Sequence, residues 1–370
     1  MEISFIPIDY DYFDYEGKNY IKIIGRTREG KRACVIDSFE PYFWAILKPN
    51  TQESKIEKLK TKIEKIKITS LSRTTKVEKV EIKDKSFLSQ QVKALKIYIT
   101  NFKDAHPVAD KLGMKEISAR RGYDLNLISL YISEKKITPL TWYKVSGEIL
   151  NNSQELGGID SSLEVDLVIK AESIQPTEQH SFTPKILAFD IEADEFEIGK
   201  GEIVMISLAS QNFKKVLTWK HCESAQNYVE CFKDEADMIE AFVKYIKQQD
   251  PDLLAGYFSD GFDLPYLRTR AEKNQVKLSL GLNNKQPSFA RGRIPSAKID
   301  GIVHVDLFRF IETAYSQYLQ SETLSLNEVA LELLGEKKLE FNHTHSSKIN
   351  GQEWLAYFEY NLQDSLLTYK

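Results

Sequence analysis

The stretch Ile186-Leu187-Ala188-Phe189-Asp190-Ile191-Glu192 combines the apolar pattern of a buried β-strand with two acids. Residues two apart on a strand point to the same face, so the carboxylates of Asp190 and Glu192 are predicted to project side by side. Two like charges on a buried strand are unfavourable unless a cation neutralises them. The stretch therefore predicts a sheet strand that presents a divalent-metal site; a strand end whose acids face water is the alternative.

Strand and helix patterns alternate around this stretch. Apolar strand-like runs are predicted at 186–191, 203–209, 252–256 and 302–307, and helical patterns at 236–247, 264–274 and 326–335. Such alternation is typical of an α/β domain with a mixed sheet flanked by helices. The last helix has clear ends, since Ser325 and Glu328 form a capping-box pattern and Gly335 follows its final turn.

Two further acids stand at the ends or on the faces of predicted helices. Asp263 follows Phe262 in a polar turn and is predicted as the N-cap of the helix that starts at Leu264, a role that capping alone would explain. Tyr360 and Asp364 are four residues apart in the closing helical pattern and so share one face. Each of these signals is weak when taken singly.

The N-terminal half has a different character. Residues 1–50 read as strands, 53–67 as a helix with lysines on one side, and 77–82 and 94–99 as strands, followed by a short helix at 104–112 and another strand. This order predicts a β-rich domain with a ferredoxin-like or RRM-like subdomain. The lysines of the helix either contact a phosphate backbone or form a solvated face. A Gly-rich and Asn-rich connection, with a strand at 163–169, leads to predicted domains 1–170 and 171–370.

Length and composition limit the number of domains and the class of protein. A length of 370 residues suits about two domains, and the hydrophobic fraction of 42% suits packed cores. The net charge of −4 is compatible with nucleic-acid binding because local patches matter more than the total. Three scattered cysteines argue against a disulfide scaffold or a zinc site and indicate a reducing compartment. We find no membrane-spanning run and no signal peptide, and expect a cytoplasmic protein with no membrane partner.

Taken in order, the acidic motifs form a recognisable set. Asp-x-Glu on a strand, Phe-Asp before a helix and Tyr-x-x-x-Asp on a late helix resemble the three exonuclease motifs of the DnaQ-like superfamily, in its four-carboxylate branch with tyrosine. The runs 186–192, 199–207, 262–273 and 360–364 are similar to archaeal family B DNA polymerases. The resemblance covers nearly the whole chain and implies an N-terminal polymerase domain followed by an RNase H-like exonuclease domain.

The resemblance implies a 3′–5′ exodeoxyribonuclease that uses two Mg²⁺ or Mn²⁺ ions. Carboxylates are suitable ligands for these hard cations, and a two-metal site assists phosphodiester hydrolysis. Asp190 would bridge both metals, and Glu192 and Asp364 would complete the site for the attacking water. Asp263 would hold the second metal partly through water. Tyr360 would orient the attacking water.

The resemblance also implies DNA contacts. Phe258 stands where family members usually have an asparagine that positions the strand, a departure that removes no metal ligand, and Phe262 is expected to contact DNA too. Arg291 and Arg293, with Lys298, are predicted to contact a phosphate backbone, although a mobile surface loop explains this segment equally well. For Asp306 and His304 we favour a structural role.

A uracil pocket is a further family feature. Archaeal relatives detect template uracil in an N-terminal pocket, and Tyr12, Pro41 and Ala94 match parts of that region. Leu130 stands where a basic residue is usual, so we expect the pocket to be degenerate.

No polymerase motif such as Asp-x-x-Ser-Leu-Tyr-Pro-Ser occurs, so these 370 residues are expected to remove nucleotides without adding them. We interpret the chain as a piece cut from a longer protein or a split-gene product. Expected partners are single-stranded 3′ ends, primer–template DNA, the remaining polymerase domains and a sliding clamp. A stand-alone nuclease acting on RNA or repair intermediates and a non-catalytic DNA-binding module are the alternatives.

Overall fold

A computed structural model of the protein describes most of the chain. The described residues are 1–69, 73–151, 154–221, 226–290, 292, 296–339, 341 and 345–370. They form two compact units, Met1–His180 and Ser181–Lys370. The boundary predicted after residue 170 falls within the strand Leu167–Pro176 of the first unit.

The first unit contains most of the strands. These strands are β1 (Glu2–Tyr15), β2 (Lys18–Thr27), β3 (Arg32–Phe39), β4 (Tyr42–Leu47), β5 (Lys67–Thr69), β6 (Thr74–Phe87), β7 (Gln90–Ile99), β8 (Ile117–Arg121), β9 (Tyr143–Ile149) and β10 (Leu167–Pro176). Its helices are α1 (Glu53–Glu64), α2 (Ala105–Asp110), α3 (Leu127–Lys135) and α4 (Ile159–Ser162).

Two sheets organise this unit. The first is a closed barrel in the order β1-β2-β3-β10-β9, in which only β3 and β10 run parallel. The second has the order β5-β6-β7-β4-β8, and the chain passes through it as β4-α1-β6-β7-α2-β8. This is the ferredoxin-like order that the sequence predicted. One hydrophobic core includes residues of both sheets, and α1 contributes Ile56, Leu59 and Ile63 to it.

The strands of the second unit are β11 (Ile186–Ala193), β12 (Ile203–Ser210), β13 (Phe213–Thr218), β14 (Val229–Cys231), β15 (Leu253–Gly256), β16 (Ser288–Ala290), β17 (Ser296–Lys298) and β18 (Val303–Asp306). Its helices are α5 (Glu235–Gln249), α6 (Asp263–Lys273), α7 (Leu307–Phe310), α8 (Leu326–Leu334) and α9 (Glu353–Tyr369).

A mixed six-stranded sheet is the centre of this unit. Its order is β14-β13-β12-β11-β15-β18, with β11 and β12 antiparallel and β11 and β15 parallel. The inner strand β11 is apolar along most of its length because both of its faces are covered. Helix α9 packs on β11 and β12, where the Ser207 hydroxyl donates to the Asn361 carbonyl over 2.8 Å. The sheet and α9 together position the acids of the opening stretch.

A buried ion pair fixes α6 against α5. The Glu235 carboxylate accepts hydrogen bonds from Arg270 Nε at 2.9 Å and Nη2 at 2.5 Å. It also accepts bonds from Asn274 Nδ2 and from the backbone N–H of Ile203, both at 2.7 Å. Four donors on one carboxylate compensate its burial. The network holds α6, which carries Asp263 at its first residue.

Two observations concern the cysteines and the membrane-spanning segments considered in the sequence. Cys34 is a buried free thiol, whereas Cys231 is disulfide-bonded, which the scattered cysteines did not indicate. No helix of the described residues is long and apolar enough to cross a membrane. The cytoplasmic location stays a prediction.

Candidate active site

Three of the predicted acids meet on the sheet. Asp190 and Glu192 of β11 and Asp364 of α9 each offer a carboxylate oxygen, and the three oxygens lie within 4.8 Å of one another. Glu192 and Asp364 are buried, and Asp190 is half-buried. The strand period places the first two acids on one face, and the packing of α9 on β11 brings the third to them.

Asp263 lies beside this cluster and is not one of its three members. Its Oδ1 accepts a hydrogen bond from the backbone N–H of Ile191 over 3.2 Å, so it contacts the strand between the two acids of β11. The prediction of Asp263 as an N-cap is wrong, since α6 begins at Asp263 and Phe262 is the N-cap. The competing partner, the Ile191 amide, is 72 residues away in sequence and left no local signal.

Burial and mutual repulsion disfavour the ionised forms of these acids. Burial raises the pKa of Glu192 to about 8, that of Asp263 to about 7 and that of Asp364 to about 6. The pKa of Asp190 lies well above its usual range because of burial first, and then the charges of Asp364, Asp263 and Glu192. Such crowding is unfavourable without a cation, as the sequence analysis expected.

The protein itself supplies a cation to the cluster, which the sequence did not predict. Lys338, in the connection between α8 and α9, forms an ion pair with Asp364 Oδ2. Its ammonium also lies 4.4 Å from the centre of the Tyr360 ring, within the range of a cation–π contact. Nothing in the spacing of Lys338 marks it, because its partner is on another element.

The predicted tyrosine lies next to the cluster. Tyr360 is buried, and burial followed by the charge of Glu192 raises its pKa to about 12. Its hydroxyl therefore stays protonated over the neutral range and can donate a hydrogen bond.

Two other side chains of α9 hold the acids, and both were missed. The Tyr357 hydroxyl donates to Glu192 Oε2 over 3.2 Å, and Asn361 Nδ2 donates to Asp190 Oδ2 over 2.7 Å. Tyr357, Asn361 and Asp364 follow an i, i+4, i+7 spacing, which puts them on one helical face. This spacing is the signal that would have found them.

The turn before α6 is shaped by Asp306. Its Oδ1 accepts from the backbone N–H of Phe258 over 3.1 Å, and its Oδ2 accepts from that of Asp260 over 2.9 Å. His304 Nε2 lies 3.0 Å from the Ser259 hydroxyl in the same turn. These contacts account for Asp306 and His304 structurally, the role that the sequence analysis favoured.

Phe258 has an unusual backbone. Its φ is +61°, in the left-handed region, and its side chain is 41% exposed, with its ring centre 5.3 Å from that of Phe308. Asparagine tolerates this region better than most residues, which gives a physical reason for the asparagine usual in the family. An exposed ring here is accessible to a base.

Two of the other predicted DNA contacts, Phe262 and Lys298, are described residues of the second unit. Phe262 is half-buried and its ring lies 5.2 Å from that of Tyr266. Lys298 is exposed at the end of β17. Arg291 and Arg293 lie outside the described residues.

The proposed uracil-pocket residues all lie in the first unit. Tyr12 is half-buried on β1, with the ammonium of Lys103 5.7 Å from its ring centre. Pro41 is buried, and its carbonyl accepts from the backbone N–H of Ile99 over 3.0 Å. Ala94 and Leu130 are buried core residues. A role in uracil recognition stays a prediction.

The donor set of the cluster fits a divalent cation. Its oxygens come from carboxylates, the ligand type that Mg²⁺ and Mn²⁺ prefer. Asp364 Oδ1 is buried and has no hydrogen-bond partner among the described residues, so one ligand atom is available without breaking an existing bond. A cation would also relieve the repulsion that raises the pKa values of the acids.

A mixed sheet with acids on its inner strand and on a packed helix defines the RNase H-like class of exonuclease domain. Residues 118–329, more than half of the chain, match the family described as DNA polymerase family B, exonuclease domain. The chain belongs to this family, which implies divalent-metal use. Asp190, Glu192 and Asp263 lie inside the matched range, and Tyr360 and Asp364 lie beyond it.

Curated relatives and a solved structure agree with this assignment. DNA polymerase 1 of Pyrococcus abyssi is 30% identical over 371 residues, and a DNA polymerase of Pyrococcus glycovorans is 28% identical over 376 residues. Each alignment covers 98% of this chain and 41% of the relative, so the chain spans about two fifths of their length. The family B DNA polymerase from the hyperthermophilic archaeon Pyrobaculum calidifontis has the same fold, with a TM-score of 0.75, 21% identity, and coverage of 99% of this chain and 45% of that chain.

Proposed function

We propose that this chain hydrolyses the terminal phosphodiester bond at the 3′ end of a DNA strand, as a proofreading exonuclease. The observation that carries the proposal is the cluster of Asp190, Glu192 and Asp364, whose oxygens lie within 4.8 Å in a family of polymerase exonuclease domains. Asp263 adds a fourth acid beside them.

Two ions of Mg²⁺ or Mn²⁺ would be held by Asp190, Glu192, Asp263 and Asp364. When bound, such ions supply Lewis-acid stabilisation of the charge that develops on the phosphate and on the leaving 3′ oxygen. The four acids are on rigid elements, two on β11 and one each on α6 and α9, which favours precise positioning.

The neighbouring side chains keep the acids in orientation. Tyr357 donates to Glu192 and Asn361 donates to Asp190, so each acid of β11 has one oxygen fixed by α9. Hydrogen bonds of this kind to ligating carboxylates orient them and tune their basicity. We propose that the protonated hydroxyl of Tyr360 orients the attacking water.

Lys338 neutralises part of the negative charge of the acid cluster when metal ions do not fill the site. Its ion pair with Asp364 leaves Asp364 Oδ1 available, and its stem is flexible enough for the ammonium to move to a DNA phosphate. We propose that the lysine exchanges its carboxylate partner for the substrate phosphate when DNA enters.

The partners follow from the family. We propose single-stranded 3′ ends and primer–template DNA as substrates, and the remaining polymerase domains, in the same or a second polypeptide, as the assembly in which the chain works. A sliding clamp stays a prediction. The acid cluster argues against a non-catalytic DNA-binding module.

The test is cleavage of 5′-labelled single-stranded DNA and of a 3′-mismatched primer–template, with Mn²⁺, Mg²⁺ or EDTA. We expect shortening from the 3′ end with metal only, and a loss of about 10³-fold or more in the double variant Asp190→Ala with Glu192→Ala. Glu197→Ala removes an exposed acid that pairs with Lys200 and is the control, expected to keep full activity.

The outcomes separate the alternatives. An inert wild-type chain with both metals, or unchanged cleavage in the double variant, would reject the assigned site. Faster cleavage of RNA than of DNA of the same sequence would favour the stand-alone ribonuclease instead.

A further inference from the structure

A cleft of about 470 Å³ in the first unit has no role in the exonuclease site. It lies between α1 and the segment that leads into β8. The lining residues are Lys55, Lys58, Leu59, Lys62, Gly113, Met114, Lys115 and Glu116. Four lysines and one acid give the lining an excess of three positive charges.

The helix arranges three of these lysines in a row. Ile56, Leu59 and Ile63 of α1 are buried in the core, which fixes the rotation of the helix. Lys55, Lys58 and Lys62 are exposed and follow an i, i+3, i+7 spacing, so they form one row roughly 10 Å long. Lys115, from the other wall, completes the group.

Among the described residues, these four lysines lack the acidic partners that nine other lysines of the unit have. Lys83, Lys144 and Lys170, for example, each lie within 4.0 Å of a carboxylate oxygen. In the described part of the chain, the side chains of the four cleft lysines make no ion pair and no hydrogen bond. Neighbouring like charges at i, i+3 and i, i+4 destabilise a helix by about 0.2–0.5 kcal/mol each. A concave row of unneutralised ammonium groups is suited to a polyanion.

We propose that this cleft binds the sugar-phosphate backbone of a DNA strand. Lysine ammonium groups bind phosphates as point charges, and such contacts are independent of base sequence. None of the described lining residues is aromatic, so the bases are not expected to stack in the cleft. The cleft thus gives the first unit a DNA-binding site separate from the acid cluster. The identification of the polyanion as DNA rests on the proposed function.

Binding is measured on the full chain in EDTA with a fluorescent circular single-stranded oligonucleotide, which has no 3′ end. The triple variant Lys55→Gln, Lys58→Gln, Lys62→Gln is compared with Lys83→Gln, Lys144→Gln, Lys170→Gln, which removes the same charge from ion-paired lysines. We expect the cleft variant to bind the circle about 10-fold or more weakly than the wild type at low salt. The slope of the logarithm of the binding constant against the logarithm of the salt concentration is expected to become shallower by about 2. The control is expected to stay within about 2-fold.

A second pair of variants leaves every lysine in place. A Cβ at Gly113 would meet no atom within 4 Å and its φ is not in the left-handed region, so substitution there is not strained. Gly113→Asp adds a negative charge to the cleft and is expected to weaken binding. Gly113→Asn has nearly the same shape without the charge and is expected to bind like wild type.

Three results would overturn the inference: no binding of the circle by the wild type, equal losses in the two lysine variants, or equal binding by the two Gly113 variants. Thermal unfolding of each variant checks that it is folded. Because the circle has no 3′ end and EDTA removes metal, these results do not depend on cleavage. Binding without cleavage in the linear-strand assay would reject the proposed function and leave the cleft assignment intact.

Discussion

Asp364 lies beside one lysine and two carboxylates, and it is one of the acids whose protonation sets the charge of the cluster. Burial raises its pKa to about 6, whereas Lys338 lowers that pKa. An acid with a raised pKa stabilises the fold below its unfolded pKa, and this contribution is lost as the pH rises through the folded pKa. The lysine limits that loss.

We therefore expect Lys338→Gln to destabilise the metal-free protein by about 2–3 kcal/mol at pH 8, because it leaves a buried charge without its partner. At pH 5 the effect is expected to be smaller, since Asp364 is then mostly protonated. Urea unfolding in EDTA at the two pH values measures this. Lys337→Gln, which changes an exposed neighbour, is the control, and an equal effect at both pH values would contradict the assignment.

Asn361 is a positioning residue for Asp190. Its side chain is fully buried, and its amide donates to Asp190 Oδ2 over 2.7 Å. Asn361→Ala is expected to shift the Mn²⁺ activation curve to about 10-fold higher concentration, as loss of an orienting partner of a ligand does. Glu359→Ala, on the exposed side of α9, should leave the curve in place. A fall in cleavage with no shift in metal dependence would instead indicate a general packing defect.

At the scale of elements, the ion pair of Glu235 and Arg270 links α5 and α6. Removing one partner of a buried pair typically costs about 3–5 kcal/mol, so Arg270→Met is expected to lower the free energy of unfolding by about that amount. Adding Glu235→Gln should recover part of the loss, because the glutamine is neutral and still accepts from the Ile203 amide. Chemical unfolding of the single and double variants tests this; a double variant less stable than Arg270→Met would contradict it.

Local patterns predicted the elements better than their ends. The helix α8 was predicted with its caps: the Ser325 hydroxyl accepts from the Glu328 amide, and Gly335 has a left-handed φ. The Glu328 carboxylate, however, binds the hydroxyls of Ser321 and Thr323. The strand predicted at 163–169 begins only at Leu167. For α8, side chains outside the predicted helix are the partners of the Glu328 carboxylate.

At the scale of the whole molecule, the metal-free cluster makes stability depend on pH. The pKa values of Glu192, Asp263 and Asp364 are raised to about 8, 7 and 6, so the folded protein loses stability as these groups ionise between about pH 5 and pH 8. Bound cations favour the ionised forms of the acids. A cation present at about 100 times its dissociation constant raises the free energy of unfolding by about 2.7 kcal/mol.

We expect the difference in melting temperature between Mn²⁺ and EDTA to be larger at pH 8.5 than at pH 5.5. Thermal unfolding at both pH values measures it, and the variant Asp190→Asn with Glu192→Gln should show a much smaller difference. Equal differences at both pH values in the wild type would contradict the assignment of these acids as the ligands.

The sequence predicted the acids of the site and not the groups that control them. Asp190 and Glu192 were predicted from the strand period, which is a local property, whereas Asp364 joined the set only through the resemblance of the motif order to the exonuclease motifs. Lys338 was missed because its partner is on another element, and Tyr357 and Asn361 were missed because their role appears only when α9 packs on β11. Asp263 was assigned a local cap because its distant partner, Ile191, cannot be read from its neighbours.

The five strands of the barrel are synthesised in two groups that are far apart in the sequence. The strands β1 to β3 end at Phe39, and the strands that complete the barrel begin at Tyr143. Roughly 100 residues separate them, which is about 5–20 s of synthesis at typical rates. During that time β1 and β3 each have an open edge, which is prone to wrong pairing. The ferredoxin-like subdomain emerges in this interval and shares its core with the same strands, so its early folding would protect the nascent chain until the barrel closes.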